Sequence, residues 1–212
     1  MSIAFQGSLF AEQAGGEAGG NPRSLAAIHR TWLSRGAWID VLPCWLDGAD
    51  TLFERLVDRV PWHAQRRPMY DRVVEVPRLL CFYAENDTLP DPSLSTARAA
   101  LSEHYAGELG KTFRTAGLCY YRDGRDSVAW HGDTIGRGRT EDTMVAIVSL
   151  GAPRDLLLRP RSDRTVLRRA LGHGDLIVMG GSCQRSWEHA IPKTSKPVGP
   201  RISVQFRPRG VR

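Results

Sequence analysis

Apolar positions recur along this chain with two different periods, and the change from one to the other divides it. The first half carries helical spacing. In "DGADTLFERLVDRVP" (residues 47–61), Leu52, Phe53, Leu56, Val57 and Val60 fall on one helical face, an acid sits near the start and Pro61 ends the run. A second helix is predicted over 92–109, where Leu94, Ala97, Ala100, Leu101, Tyr105 and Leu109 share a face, with Pro92 in the first turn and Gly110 as a stop. "SLAAIHRTWLSR" (24–35) predicts a short helix capped by Ser24. Between the first two lie the β-like pieces "WHAQRRPMY", "RVVEVP" and "RLLCFYA", which predict a hairpin region. After Lys111 the period shortens. "RTAGLCYY", "SVAWH", "TMVAIVSLG", "DLLLRP", "TVLRRAL", "GDLIVMGG", "SWEHAI" and "RISVQFRP" are short and β-branched or aromatic, with turn residues between them. A strand about every ten residues is the spacing of a sandwich or barrel. The chain is therefore expected to be α+β and mainly β, with helices and a hairpin ahead of a β-rich half.

Composition narrows this picture. The 212 residues suit one domain. Residues 1–22, rich in Gly, Ala and Glu, read as a flexible tail, leaving 23–212 as a single domain. No apolar run is long enough for a membrane, and the N-terminus lacks the basic start and apolar core of a secretory signal. Cys44, Cys81, Cys119 and Cys183 are scattered, which argues against a disulfide framework or a zinc knuckle. A cytoplasmic location with reduced thiols is the expectation. The net charge of +6 is uneven: residues 153–212 hold thirteen Arg or Lys against four acids. A basic C-terminal third suggests an anionic partner, nucleic acid first. Only three of the basic residues in the chain are lysines, so a bias toward arginine accounts for part of this.

Candidate chemistry lies in "YYRDGRDSVAWHGDT" (120–134). In an extended chain residues two apart point the same way, so His131 and Asp133 can reach one ion, with Gly132 leaving room between them. Two imidazoles and one carboxylate on one face of an Fe(II) ion leave three positions open for cosubstrate and O2. By itself His-x-Asp is a weak motif. The second imidazole has to come from His29, His63, His104, His173 or His189, and a barrel-interior site requires one from a distant strand; His189 in "SWEHAIP" is placed for that. Arg201 and Arg207 are six apart in "RISVQFR", so they share a strand face. Two guanidiniums inside a barrel need carboxylates, and a small dicarboxylate reaching from the metal to an arginine meets that need.

Taken together, "YYRDGRDSVAWHGD", "IVSLGAPRDLLLRP", "LGHGDLIVMGG", "SWEHAIPK" and "RISVQFR" resemble the AlkB-like Fe(II)/2-oxoglutarate dioxygenases, over roughly residues 38–209. The resemblance implies a double-stranded β-helix (jelly-roll, cupin-like) core with N-terminal helices and a hairpin lid over about 62–90. It implies Fe(II), 2-oxoglutarate and O2, with His131, Asp133 and His189 on iron and no catalytic residue beyond that centre. Arg201 would take the far carboxylate of 2-oxoglutarate, Arg207 its metal-side end, and Tyr121, Ser149 and Ser203 would line its pocket. Cys119 stands where the family usually has asparagine. Thr134, Ile135 and Gly136 stand where many relatives carry acids beside the substrate base. The implied activity is oxidative demethylation of N-alkylated bases, such as 1-methyladenine or 3-methylcytosine, in DNA or RNA by a monomer. Arg66, Arg67 and Arg78 would meet phosphates; Met69, Tyr70, Tyr83 and Ile135 would touch the nucleotide. Three alternatives stand beside it: the same chemistry on a protein, lipid or small molecule; a nucleic-acid-binding module whose oxygenase site has decayed; and a metal-dependent hydrolase in a similar barrel, which leaves Arg201 and Arg207 unexplained.

Overall fold

The computed structural model describes residues 20–69, 72–136 and 139–211. Strands β1 (Asn21–Pro22), β2 (His29–Trp32), β3 (Ala37–Leu42) and β4 (Leu46–Asp47) precede helix α1 (Ala49–Arg59). A hairpin of β5 (His63–Met69) and β6 (Arg72–Tyr83) leads to α2 (Pro92–His104) and a last turn, α3 (Ala106–Leu109). The β-rich half follows with β7 (Phe113–Tyr121), β8 (Val128–His131), β9 (Val145–Gly151), β10 (Arg154–Pro160), β11 (Leu167–Leu171) and β12 (Asp175–Gly181). A single turn, α4 (Cys183–Ser186), then β13 (Trp187–Ile191) and β14 (Arg201–Pro208) complete it.

The strands form an eight-stranded antiparallel sheet, β2-β3-β12-β9-β14-β7-β6-β5, and a four-stranded one, β11-β10-β13-β8. Alternation along the strands explains how the two sheets and the helices stack. In β9, Ala146, Val148 and Leu150 join the core shared with α1 and α2, while Val145 and Ile147 join a second core with Leu156, Leu158 and Ile191 of the small sheet. β12 repeats this, with Leu176 and Val178 on the helix side and Ile177 and Met179 between the sheets. This is the jelly-roll arrangement. Leu52 and Leu56 of α1 are fully buried in the helix-side core, each worth about 1.5–3 kcal/mol. β14 departs from the apolar rule on one face only. Ile202, Val204 and Phe206 pack under the helices, whereas Arg201, Ser203, Gln205 and Arg207 point between the sheets. That polar face positions the site.

Several boundaries differ from the sequence reading. Ser24 does cap a turn, accepting from the Ala26 amide at 3.2 Å, but it is one 3-10 turn, and the rest of 24–35 forms β2 and the turn into β3. Arg35 and Gly36 take positive φ (65° and 76°) there, which reverses the chain instead of continuing a helix. Asn21 and Pro22, placed in the tail by composition, form a strand that pairs with Asp47 and Leu46. The second helix breaks at Tyr105, and its N-cap is Asp91, whose carboxylate accepts from the Ser93 amide at 3.0 Å.

Candidate metal and cosubstrate site

His131 ends β8 and His189 lies in the middle of β13, and the two residues are direct cross-strand partners. Their ring centroids are 4.2 Å apart. Between this pair and the next, Ile191 with Val128, β8 spends one residue more than β13, so a bulge sits beside the histidines. Bulges re-aim side chains where a site needs them. The His131 Nδ1 lies 2.9 Å from the Ala129 carbonyl. A carbonyl only accepts, so Nδ1 carries the proton and Nε2 keeps its lone pair. The Asp133 amide donates to Gln184 Oε1 at 3.0 Å, and its carboxylate Oδ2 receives Arg207 Nε at 2.8 Å. Gly132 is required by close approach: a Cβ there would meet the Gln184 carbonyl at 2.4 Å.

The three side chains are neighbours but do not form a preassembled cage; among the described residues no three His, Cys, Asp or Glu are arranged to hold an ion. Their chemistry nonetheless fits one. Burial, and secondarily His131, holds His189 down at about 3, and burial also lowers His131, so both imidazoles are neutral at ordinary pH, the form that metal binding requires. Burial pushes the Asp133 carboxyl up, but Arg207 and the two histidines outweigh it and set it at about 2. One carboxylate oxygen remains beyond the bond to Arg207.

These shifts give a signed pH prediction for the metal-free protein. An unfolded histidine binds its proton near 6.5, whereas His189 in the folded chain resists until about 3. The unfolded state therefore holds more protons in that window, and stability falls as pH falls, by up to about 1.4 kcal/mol per pH unit. Asp133 acts in the same direction: its contribution is present above the ordinary 3.8 and is lost as pH drops through about 2. Urea unfolding across the acid range is expected to show a steady decline below 6.5 that His189→Phe makes shallower.

Arg201 sits on the inner face of β14 and is 1% exposed. Its Nε donates to Ser149 Oγ at 2.9 Å and its Cζ lies 5.3 Å from the Tyr121 ring centroid, yet Nη1 is buried without a partner. Burial lowers its pKa, partly offset by Tyr121. A buried guanidinium nitrogen with nothing to donate to calls for an anion. Tyr121 is buried between Arg201 and Arg154, the latter 5.7 Å from its centroid, and burial and Cys119 raise its phenol to about 12. Arg154 is itself anchored to the carbonyls of Asp123, Asp126 and Pro192. Cys119 faces Ser203 across the strands. Its thiol lies 3.7 Å from Gln205 Oε1, and the Gln205 amide donates to Ser203 Oγ. The structure thus gathers Cys119, Tyr121, Ser203, Arg201 and Arg207 around one cavity with both histidines, while Ser149 lies behind Arg201 and holds it.

The residues expected to touch nucleotide are dispersed. Arg66 is exposed on the hairpin and paired with Glu75 at 3.1 Å. Arg67 and Met69 lie on β5, and Tyr70 falls outside the described residues. Ile135 is 69% exposed just past Asp133. Two assignments change. Tyr83 packs against the helix-side core, because alternation along β6 turns it away from the cavity, so its ring is not a stacking surface there. Phe82, opposite Gly117, is the exposed aromatic on the other face. Arg78 points into the cavity and donates to the Ser127 carbonyl at 3.0 Å, so it is not an outward phosphate contact. Trp187 is core, its indole donating to the Ser34 carbonyl. Of the other histidines, His173 accepts from the Gly151 amide at 2.7 Å and His104 stacks edge-on against Tyr105. His29 and His63 sit in β2 and β5. Gln184, which orients Asp133, was not signalled by the sequence, since its role depends on a contact 51 residues away.

A jelly roll whose inter-sheet cavity is lined by the paired histidines and a buried arginine, with an aspartate beside the histidines, is the arrangement expected of a metal-dependent oxygenase of this fold. A sequence model of the 2OG-Fe(II) oxygenase superfamily matches residues 41–207, and the chain belongs to that superfamily. The bovine alpha-ketoglutarate-dependent dioxygenase alkB homolog 3 (Bos taurus) is 31% identical over 189 residues, covering 78% of this chain and 65% of that protein. DNA oxidative demethylase ALKBH2 of Homo sapiens is 27% identical over 178 residues, covering 75% and 68%. The chain thus spans just under two thirds of the alkB homolog 3 relative. The AlkB-like resemblance read from the motifs agrees with both. Among solved structures, that of OsALKBH1 superposes with a TM-score of 0.58 at 16% identity, over 84% of this chain and 100% of the other. A 2OG-Fe(II) oxygenase family oxidoreductase from Burkholderia pseudomallei gives 0.57 at 11%, over 82% and 86%. These two likenesses concern the fold.

Proposed function

We propose that this chain is an Fe(II)/2-oxoglutarate-dependent dioxygenase that removes alkyl groups oxidatively from bases in DNA or RNA. One observation carries the reading: the cross-strand pair His131–His189 stands beside Asp133 in the same cavity as the orphaned Arg201 nitrogen. His131 Nε2, His189 and the free Asp133 oxygen would hold the iron. Arg207 keeps Asp133 ionised and oriented. Arg201, braced by Ser149, would take the far carboxylate of the keto acid, with Tyr121 along its length. Cys119, Ser203 and Gln205 form the polar wall beside it. The bound iron, with 2-oxoglutarate and O2, supplies oxidation of an N-methyl group, giving succinate and CO2 and a hydroxymethyl product that sheds formaldehyde. The chain's own task is to bring the methyl close and exclude water. A base reaches such a cavity only when flipped out of its stack, and the β5–β6 hairpin at the sheet edge is suited to cover it.

The name of one relative, DNA oxidative demethylase ALKBH2, supports nucleic acid as the substrate, and that of the other, alpha-ketoglutarate-dependent dioxygenase alkB homolog 3, supports the cosubstrate. The basic bias supports it less than the sequence alone suggests. Arg159 and Arg161 are paired with Glu188, Arg168 with Asp155, Arg185 with Asp142 and Arg209 with Glu85, while Arg201 faces inward. No helix among the described residues is long and apolar enough to cross a membrane. The test is aerobic incubation with Fe(II), 2-oxoglutarate and oligonucleotides bearing single N-methyl bases. Formaldehyde and succinate are expected in step with loss of the methyl group; succinate that never forms with any substrate would contradict the reading.

A further inference from the structure

Arg78 lines the same cavity as Arg201 and Arg207. It sits on β6, one residue beyond the registered pair of Leu79 with Tyr120. Antiparallel alternation therefore places Arg78 and Tyr121 on the same inner face, as Arg201 and Tyr121, a registered pair, also are. Three side chains, Arg78, Tyr121 and Arg201, thus form one row across β6, β7 and β14. Arg78 Nη1 is tethered to the Ser127 carbonyl at 3.0 Å, just ahead of β8, but its Nε is buried with no partner. Arg201 Nη1 is in the same condition. So two guanidiniums line one cavity from the strands on either side of Tyr121, each with a buried donor unsatisfied. Among the described residues, no carboxylate lines this cavity.

An unpaired buried donor on a cation is costly, and two in one cavity are better explained by one shared anion than by two accidents. We propose that Arg78 is a cosubstrate-positioning residue: together with Arg201 it grips the far carboxylate of the bound keto-diacid, from the opposite side of Tyr121. The tether to Ser127 fixes its guanidinium for this, since a donor already held in place loses little freedom on binding. The consequence is selectivity. A pocket with two cations at its far end favours a second carboxylate over a neutral tail, and favours one chain length.

This inference rests on the dioxygenase reading, and the experiment separates the two. Binding of 2-oxoglutarate and of 2-oxopentanoate, which keeps the keto-acid end and lacks the far carboxylate, is measured calorimetrically on the Mn(II)-loaded full chain in wild type, Arg78→Met and Arg78→Lys. Arg78→Met is expected to weaken 2-oxoglutarate about tenfold or more, the weight of a charge-assisted hydrogen bond. It should leave 2-oxopentanoate nearly unchanged, and Arg78→Lys should recover part of the loss. A merely structural arginine would weaken both keto acids alike, and that result overturns the proposal. So does unchanged 2-oxoglutarate affinity, including the case in which oligonucleotide binding falls instead, which would return Arg78 to phosphate contact. If the wild-type chain binds no 2-oxoglutarate, the dioxygenase reading itself fails, and this one with it.

Discussion

Arg201→Met is expected to abolish the response to 2-oxoglutarate while leaving the empty protein as stable as wild type, or more so. The two effects have one cause. Arg201 is 1% exposed, held by Ser149 Oγ and Tyr121, and has a buried nitrogen without a partner. Without ligand it is a desolvated charge, and replacing such a group by an apolar one of similar volume is often neutral or stabilising by about 1–4 kcal/mol. With ligand it supplies a charge-assisted contact worth about 1.5–3 kcal/mol per bond, so affinity should fall by about a hundredfold. Thermal melts with and without the keto acid give both readings at once. Wild type should be stabilised by the ligand and the variant should not. A variant that melts well below wild type in the absence of ligand and still responds to 2-oxoglutarate would assign Arg201 to structure.

The second large effect lies at Asp133. Its carboxylate and Arg207 form a pair that is nearly closed off from solvent, with side-chain exposures of 6% and 14%. Removing one partner leaves the other charge buried, so Asp133→Ala is expected to cost about 3–5 kcal/mol in unfolding free energy, besides eliminating metal binding. The double variant Asp133→Ala with Arg207→Met should regain most of that stability and none of the activity. A coupling energy near zero in the double-mutant cycle would show that the pair is incidental.

How far these arguments were legible in the sequence varies with their range. The strands after Lys111 could be read directly, because they are short, rich in β-branched or aromatic residues and separated by turn residues. β3 could not. Asp40 interrupts "AWIDVL", and only the structure shows why a carboxylate is tolerated there: Arg30 grips it twice at 2.7 Å and the Tyr105 hydroxyl donates to it at 2.8 Å. His131 and Asp133 were legible because the spacing of two is local, and Arg201 and Arg207 because the spacing of six keeps one face. The pairing of His189 with His131 spans 58 residues and passes through a bulge, which no local pattern encodes. Arg78 and Tyr83 were misplaced for the same reason. Which face of β6 each occupies depends on the register against β7.

The claim on which the rest depends is convergence: two imidazoles and a carboxylate from β8, the loop after it and β13 must close on one ion, with Arg201 holding the other end of the bound acid. A crystal structure of the protein grown anaerobically with Mn(II) and 2-oxoglutarate tests it directly. The account predicts one ion coordinated by His131, Asp133 and His189, and a carboxylate on Arg201. An ion bound elsewhere, or a keto acid whose far end turns away from Arg201, would contradict it.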